Sequence, residues 1–195
     1  MKVFFHNFDP GSNSGPNKFT RSLFNQLIND EKVKISNLQT EADLEFCLIQ
    51  QSVHKKKPMM LRLDGIYFNS DQNFKEQNKP IKFAYENADA VVFQSNFNKK
   101  LTEAWFGPHK NSTIIRNGAD IDLIKTVKGT VLDHVVKKSV DVWSCASSWR
   151  PHKRLEENLR YFKRFASKNS IMIVAGKDAD TAVIKKFNTE TGGRI

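Results

Sequence analysis

Short apolar runs alternate along the chain with longer stretches in which apolar residues recur every three or four positions. KVFF (2–5), KVKISNL (32–38), LEFCLI (44–49), MMLRL (59–63), DAVVFQ (89–94), STIIR (112–116), VDVWSCA (140–146) and IMIVAG (171–176) read as strands. Several are continuous apolar runs, the pattern of parallel strands covered on both faces. Between them, Phe19, Leu23, Phe24, Leu27 and Ile28 keep helical spacing. So do Phe97, Leu101, Ala104 and Trp105, with Ser95 as N-cap and Gly107-Pro108 as the stop. Leu155, Leu159, Phe162 and Phe165 or Ala166 mark a third apolar face. Strand and helix in alternation predict an α/β protein built on a Rossmann-like, doubly wound parallel sheet.

The periodicity fades between the sixth and seventh strands, where four lysines accumulate. That break predicts a first Rossmann-like domain over 1–120, a linker over 121–139 and a second domain over 140–195. The second holds one strand–helix–strand unit and the start of another helix. A parallel sheet of two strands cannot cover itself, so the expectation is a truncated domain, or one completed by a second chain.

Composition narrows the partners more than the fold. The 195 residues carry 31 Lys and Arg against 21 Asp and Glu, a formal charge of +10. A field of that sign favours anions: nucleotides, acidic sugars, an anionic membrane surface or nucleic acid. The aromatics fall at core spacings rather than on a basic face, and no nucleic-acid module is present, which disfavours nucleic acid. Cys47 and Cys145 each sit in an apolar run and read as small buried residues. No His or Cys pair has zinc-ligand spacing, so no metal is expected. The opening MKVFFHNFDP has neither a signal peptide's charge pattern nor a transmembrane length of apolar residues, which predicts a cytoplasmic protein.

Ligands of parallel α/β sheets bind beyond the carboxyl ends of the strands, and four loops there carry candidate chemistry. FDPGSNSGPNKF offers Gly11 and Gly15 for close backbone approach, and a helix N-terminus after Pro16 and Asn17 for an anion or a sugar hydroxyl. In RLDGIYFN, Asp64 follows its strand directly, placed to accept from a hydroxyl or to act as a base; it serves equally well as a turn cap. RNGAD (116–120) brings Asn117 and Gly118 to a turn. In SSWRPHKRLEENLRYFKRF (147–165), Arg150, Lys153 and Arg154 surround the start of a helix expected at Pro151 or His152. The helix dipole disfavours cations at that end, unless an anion such as a diphosphate lies between them. Pairing with Glu156 and Glu157 on a solvated face is the alternative.

GSNSGPNKFTRSL, ADAVVFQSNFNKKLTEAWFG, TIIRNGADID and SSWRPHKRLEENLRYF, in that order, together resemble family 4 glycosyltransferases of the GT-B fold. The resemblance implies two Rossmann-like domains, the first for the acceptor and the second for a nucleotide sugar. It implies a retaining transfer of a hexose from a UDP- or GDP-linked donor to a glycan or glycolipid acceptor, without a metal or other cofactor. Gly15 and its neighbours match the family's glycine loop, Ser95 and Asn117 its two turns, and Lys153 its diphosphate lysine. The arginine that usually accompanies that lysine falls on Ser148, with Arg150 near enough to take its part. Asp64 stands where many relatives carry a sugar-contacting histidine and is the catalytic candidate. The family's paired-glutamate motif would lie beyond residue 195. The functional expectation is a truncated glycosyltransferase, with peripheral membrane contact among its partner expectations. An inactive binding or assembly subunit that works with a second chain is the alternative.

Overall fold

The computed structural model describes every residue except 13, 31, 120 and 129–140. The chain divides into two compact units, Met1–Ala119 and Asp120–Ile195. In the first, the elements run β1 (Lys2–His6), α1 (Gly15–Ile28), β2 (Lys34–Ile35), β3 (Leu44–Leu48), β4 (Met59–Leu63), α2 (Phe74–Asn87), β5 (Ala90–Phe93), α3 (Asn96–Phe106) and β6 (Ser112–Ile114). They form a six-stranded sheet in the order β2-β1-β3-β4-β5-β6, parallel at every pairing. The α/β, Rossmann-like expectation therefore holds. The connections leave β1 toward β2 on one side and run from β3 outward on the other. The topological switch point is thus the gap between β1 and β3, where open α/β sheets make their crevice.

Continuous apolar strands become two-sided burial. Cys47, Met59, Leu61, Leu63, Val91 and Phe93 are buried together with Ile81, Ala84 and Tyr85 of α2. Helix α2 was not apparent from periodicity because Pro80 lies inside it. Pro80 is exposed, so its ring faces solvent while Ile81, Ala84 and Tyr85 hold the inner face. Asn73 caps the helix, accepting from the Glu76 amide at 3.4 Å.

Helix α3 begins at the expected cap but turns another face inward. Phe97 is 67% exposed and Trp105 45%, whereas Asn98 and Thr102 are buried. The reason is a backbone acceptor: Asn98 Nδ2 donates to the Leu63 carbonyl at 2.7 Å, and Thr102 Oγ1 donates to Asn98 Oδ1 at 3.2 Å. A buried carbonyl without a partner is costly, and that requirement outranks the larger apolar side chains, which pair edge-on with Phe68 and Phe74 instead.

The second unit contains α4 (Ile121–Thr126), β7 (Val142–Ala146), α5 (Leu155–Phe165), β8 (Ile171–Ala175) and α6 (Thr181–Glu190). Helix α4 occupies the first residues of the segment expected as a linker; 129–139 of that segment lie outside the described residues. Strands β7 and β8 are parallel, so β7, α5 and β8 form a βαβ crossover, with α4 before it and α6 after it. Its core is Leu159, Phe162, Met172 and Phe187, flanked by Trp143, Val174 and Val183. Cys47 is fully buried and Cys145 half-buried, both as free thiols. Burial, then the charge of Glu45, pushes the Cys47 thiol up to about 12, which suits a packing residue. Among the described residues, no helix is long and apolar enough to cross a membrane.

Candidate functional site

In the first unit the polar groups at the carboxyl edge of the sheet form one network around a buried cation. Arg62 interrupts the apolar run of β4 and is 2% exposed. Its Nη1 donates to Asp64 Oδ1, and its Nη2 donates to Asn117 Oδ1 at 2.6 Å. Its guanidinium carbon lies 3.6 Å from the centre of the Phe19 ring of α1, a cation–π contact. Asn117 Nδ2 donates to Gln94 Oε1 at 3.1 Å, and Gln94 Nε2 donates to the Asp64 carbonyl at 2.8 Å. The structure thus brings Asp64 and Asn117 together through Arg62 and Gln94, neither of which stood out in the sequence. The available signal was a lone arginine within MMLRL.

Burial pushes the Asp64 carboxyl above its usual range despite the opposing pull of Arg62. Burial likewise lowers Arg62, against the charge of Asp64. Both directions reflect charges withdrawn from water. A carboxyl raised in this way and still 24% exposed can share a proton with a bound hydroxyl.

The glycine loop braces itself. The Gly11 amide donates to Asp9 Oδ1 at 2.9 Å, the Asp9 amide donates to Asn17 Oδ1 at 2.9 Å, and Arg21 Nη2 donates to the Ser12 carbonyl at 2.7 Å. Ser14 caps α1, with Pro16 in the first turn. Asn17 is therefore occupied in closing the loop. Among the described residues, a Cβ on Gly15 would meet nothing within 4 Å, and one on Gly11 would rest 3.4 Å from Asp9 Oδ1. The fold itself requires glycine at neither position, so any requirement comes from a ligand. Ser95 spends its hydroxyl on the α3 cap, accepting from the Asn98 amide at 3.1 Å.

In the second unit a cleft of about 350 Å³ opens at the carboxyl ends of β7 and β8, lined by Trp149, Arg150, Arg154, Glu156, Asp178 and Asp180 among others. The helix does not begin at Pro151 or His152. A 3-10 turn, Pro151–Lys153, comes first, and α5 starts at Leu155. Arg154 occupies the cap position at φ 56°, in the left-handed region, with no side-chain hydrogen bond to the helix. Arg154 pairs with Glu157 at 3.5 Å and Arg160 with Glu156 at 2.7 Å. That is the solvated-face arrangement for part of the basic stretch. Arg150 and Lys153 differ: neither side chain has a hydrogen-bond or ion-pair partner among the described residues. Arg150 lines the cleft; Lys153, on the same turn, is not among its lining residues. Of the acids, Asp180 caps α6, accepting from the Ala182 and Val183 amides at 3.0 and 3.1 Å.

The floor of this cleft depends on Gly176. Its φ is 115°, and a Cβ there would lie 1.7 Å from the Ser147 carbonyl oxygen. The close approach lets the loops after β7 and β8 bond to each other. The Ser147 amide donates to the Ala175 carbonyl at 3.1 Å and the Trp149 amide to the Lys177 carbonyl at 2.9 Å, while Trp149 Nε1 donates to the Ala175 carbonyl at 3.0 Å. In the sequence Gly176 showed only as the residue closing an apolar run.

No protein-family model matches the chain, and no curated protein does. Solved structures do. S. aureus MnaA, in a co-structure with UDP, aligns with 100% of this chain and 66% of its own, at a TM-score of 0.60 and 9% identity. Anabaena HepE, in complex with UDP and glucose, aligns with 99% of this chain and 67% of its own, at a TM-score of 0.59 and 16% identity. The HepE complex with UDP alone gives a TM-score of 0.57. The chain shares their α/β fold and spans about two thirds of their length. Likeness at such identity establishes the fold and leaves function to the residues.

Proposed function

We propose that the chain is the acceptor unit and the phosphate-binding part of the donor unit of a retaining, nucleotide-sugar-dependent glycosyltransferase of the family 4 type. The observation that carries the reading is the second unit's cleft. An uncapped helix start faces it, and Arg150 lines it with no side-chain partner among the described residues. Free helix N–H groups and an unpaired guanidinium together suit a diphosphate. Lys153, also unpaired and three residues on, can join them when the ligand is in place. The acids on the same rim, Asp178 above all, suit hydroxyl groups of the same donor. The solved neighbours bound to UDP support a uridine nucleotide as the first ligand to try. In the first unit, Asp64 and Asn117 are the groups we assign to the acceptor, a glycan or glycolipid, with the unfilled space over Gly15 as its approach.

The test is calorimetric titration of the chain with UDP and GDP, alongside Arg150→Ala and Lys153→Ala. Loss of one charge-assisted contact costs about 1.5–3 kcal/mol, so each variant is expected to weaken binding roughly 10- to 150-fold. Unchanged affinity in both variants overturns the diphosphate assignment. Binding without transfer, over a panel of UDP-sugars and acceptors, favours the inactive binding-subunit alternative.

A further inference from the structure

The switch point between β1 and β3 holds a hydrogen-bonded chain separate from the Asp64 network and from the cleft of the second unit. His6, the last residue of β1, and Glu45, on β3, are both fully buried. His6 Nε2 lies 2.8 Å from Glu45 Oε2. Glu45 Oε1 accepts from the amides of Lys56 and Lys57 at 2.7 and 2.9 Å. The other ring nitrogen, His6 Nδ1, lies 3.2 Å from the hydroxyl of Ser52, an exposed residue on the loop after β3.

Geometry fixes the protons. Burial alone would raise the Glu45 carboxyl. The amides of Lys56 and Lys57, with His6 and Gln39, outweigh burial and hold the group below the usual carboxylate range. An ionised carboxylate only accepts hydrogen bonds, so Nε2 of His6 must carry the proton that faces it. In the neutral ring Nδ1 is then a bare lone pair, and the Ser52 hydroxyl is its donor. The Ser52 hydroxyl satisfies the second ring nitrogen and, being exposed, connects the buried His6–Glu45 pair to the surface. The surroundings are also unusual for a plain turn. Ile49, a β-branched residue, sits at φ 66° and Asn7 at φ 55°, conformations that non-glycine residues adopt rarely and that cluster at functional sites. Asn7 Nδ2 donates to the Gln50 carbonyl, tying the two loops together, and Gln51 Oε1 is buried without a partner among the described residues.

We propose that Glu45, His6 and Ser52 form a proton relay that makes Ser52 a reactive hydroxyl at the β1/β3 crevice, facing a hydroxyl-bearing ligand. As Ser52 Oγ takes the proton of a ligand hydroxyl, its own proton passes to His6 Nδ1. The resulting imidazolium is held between Ser52 and the Glu45 carboxylate, and the charge is neutralised within the buried pair. The order of groups is that of a serine–histidine–acid triad, with the two ring nitrogens exchanged. The inference concerns the first unit alone and does not rest on the diphosphate reading.

An aryl fluorophosphonate reads the relay directly. Ser52 Oγ attacks phosphorus, fluoride leaves, and the serine proton goes to His6 Nδ1. A positioned general base contributes about 10²–10⁴-fold, so Ser52 is expected to be labelled at least a hundredfold faster than the exposed Ser22, as followed by peptide mass spectrometry. Ser52→Ala leaves Nδ1 of the buried His6 without its donor, so its fold is checked by circular dichroism, and it should abolish the fast label. Labelling of Ser52 at the rate of Ser22 overturns the proposal. His6→Gln removes a fully buried side chain and risks the fold, so the second measurement is made on the unaltered chain. Nitrogen-15 NMR of His6 should show a neutral ring protonated at Nε2, and a ring protonated at Nδ1 alone overturns the relay.

Discussion

Gly176→Ala is the sharpest test of how the second unit builds its cleft. The added methyl would start 1.7 Å from the Ser147 carbonyl oxygen, about half an ordinary contact distance, and the obstacle is backbone rather than a side chain that could swing away. The backbone at φ 115° is also one that alanine adopts only under strain, at about 1–3 kcal/mol. Relief requires the Ser147 peptide to move, which loosens three hydrogen bonds: Ser147 N to Ala175 O, Trp149 N to Lys177 O and Trp149 Nε1 to Ala175 O. At about 0.5–1.5 kcal/mol each, allowing for partial loss, the total comes to roughly 3–6 kcal/mol.

A control separates strain from collision. Gly193 has φ 79°, but a Cβ there would meet nothing within 4 Å, so Gly193→Ala should cost only the left-handed backbone penalty of about 1–2 kcal/mol. The chain has two units, and a single unfolding free energy is not well defined for it. Hydrogen exchange of the β7 and β8 amides is therefore the assay. The amides of Ser147 and Trp149 should lose protection first in Gly176→Ala, and nucleotide affinity should fall with them. Equal losses in the two variants, or a Gly176→Ala loss below about 1 kcal/mol, would refute the close-approach argument.

Two further outcomes concern the first unit. Arg62→Met should destabilise it by about 2–4 kcal/mol, somewhat under a fully buried pair because Asp64 keeps 24% exposure; adding Asp64→Asn should recover part of the loss, and a double variant worse than the sum of the singles would contradict the pairing. Acid should weaken the unit: Glu45 is held low as described, and Asp89 is held low by its hydrogen bond from Lys55 and by the Met59 amide. The stability those two lowered groups contribute is present above their unfolded pKa, near 4, and is lost as pH falls through their folded values. Asp64, raised by burial, has the opposite sign and offsets part of the slope. Urea midpoints of the first unit between pH 6 and 3 should fall, less steeply in Asp89→Asn, and a flat profile would contradict both assignments.

What the sequence made legible follows from what a one-dimensional pattern can carry. Strands such as LEFCLI and MMLRL announced themselves because a parallel strand buries both faces and so cannot hide its composition. Two elements departed from their patterns for reasons set by neighbours. Pro80 concealed α2, since nothing along the chain reveals that its ring faces water. The inner face of α3 went to Asn98 and Thr102 because the Leu63 carbonyl needed a donor, a demand originating 35 residues away. The candidate site divides in the same way. Asp64, Asn117 and Arg150 were found from position at strand ends. Their organisers Arg62, Gln94 and Gly176 were not, because the role of each is defined by a contact across the sheet.

The same distinction explains why the two units invite different experiments. In the second, the groups assigned to the ligand are exposed and unpaired, and the fold's investment lies beneath them, in the contact of Gly176 with Ser147. Changing Arg150 or Lys153 should therefore alter affinity while leaving stability nearly untouched, as surface substitutions away from buried partners do. In the first unit the chemistry is buried and already satisfied: Arg62 has Asp64, Asn117 and Phe19, and Glu45 has His6 and two amides. Removing one member leaves a desolvated partner behind, so function and stability must fall together there. Exposed groups at the ends of these networks, Ser52 above all, are coupled less tightly, because removing the Ser52 hydroxyl strands a ring nitrogen of His6 and not a buried charge. They are the positions at which a functional role in the first unit can be read most nearly apart from folding.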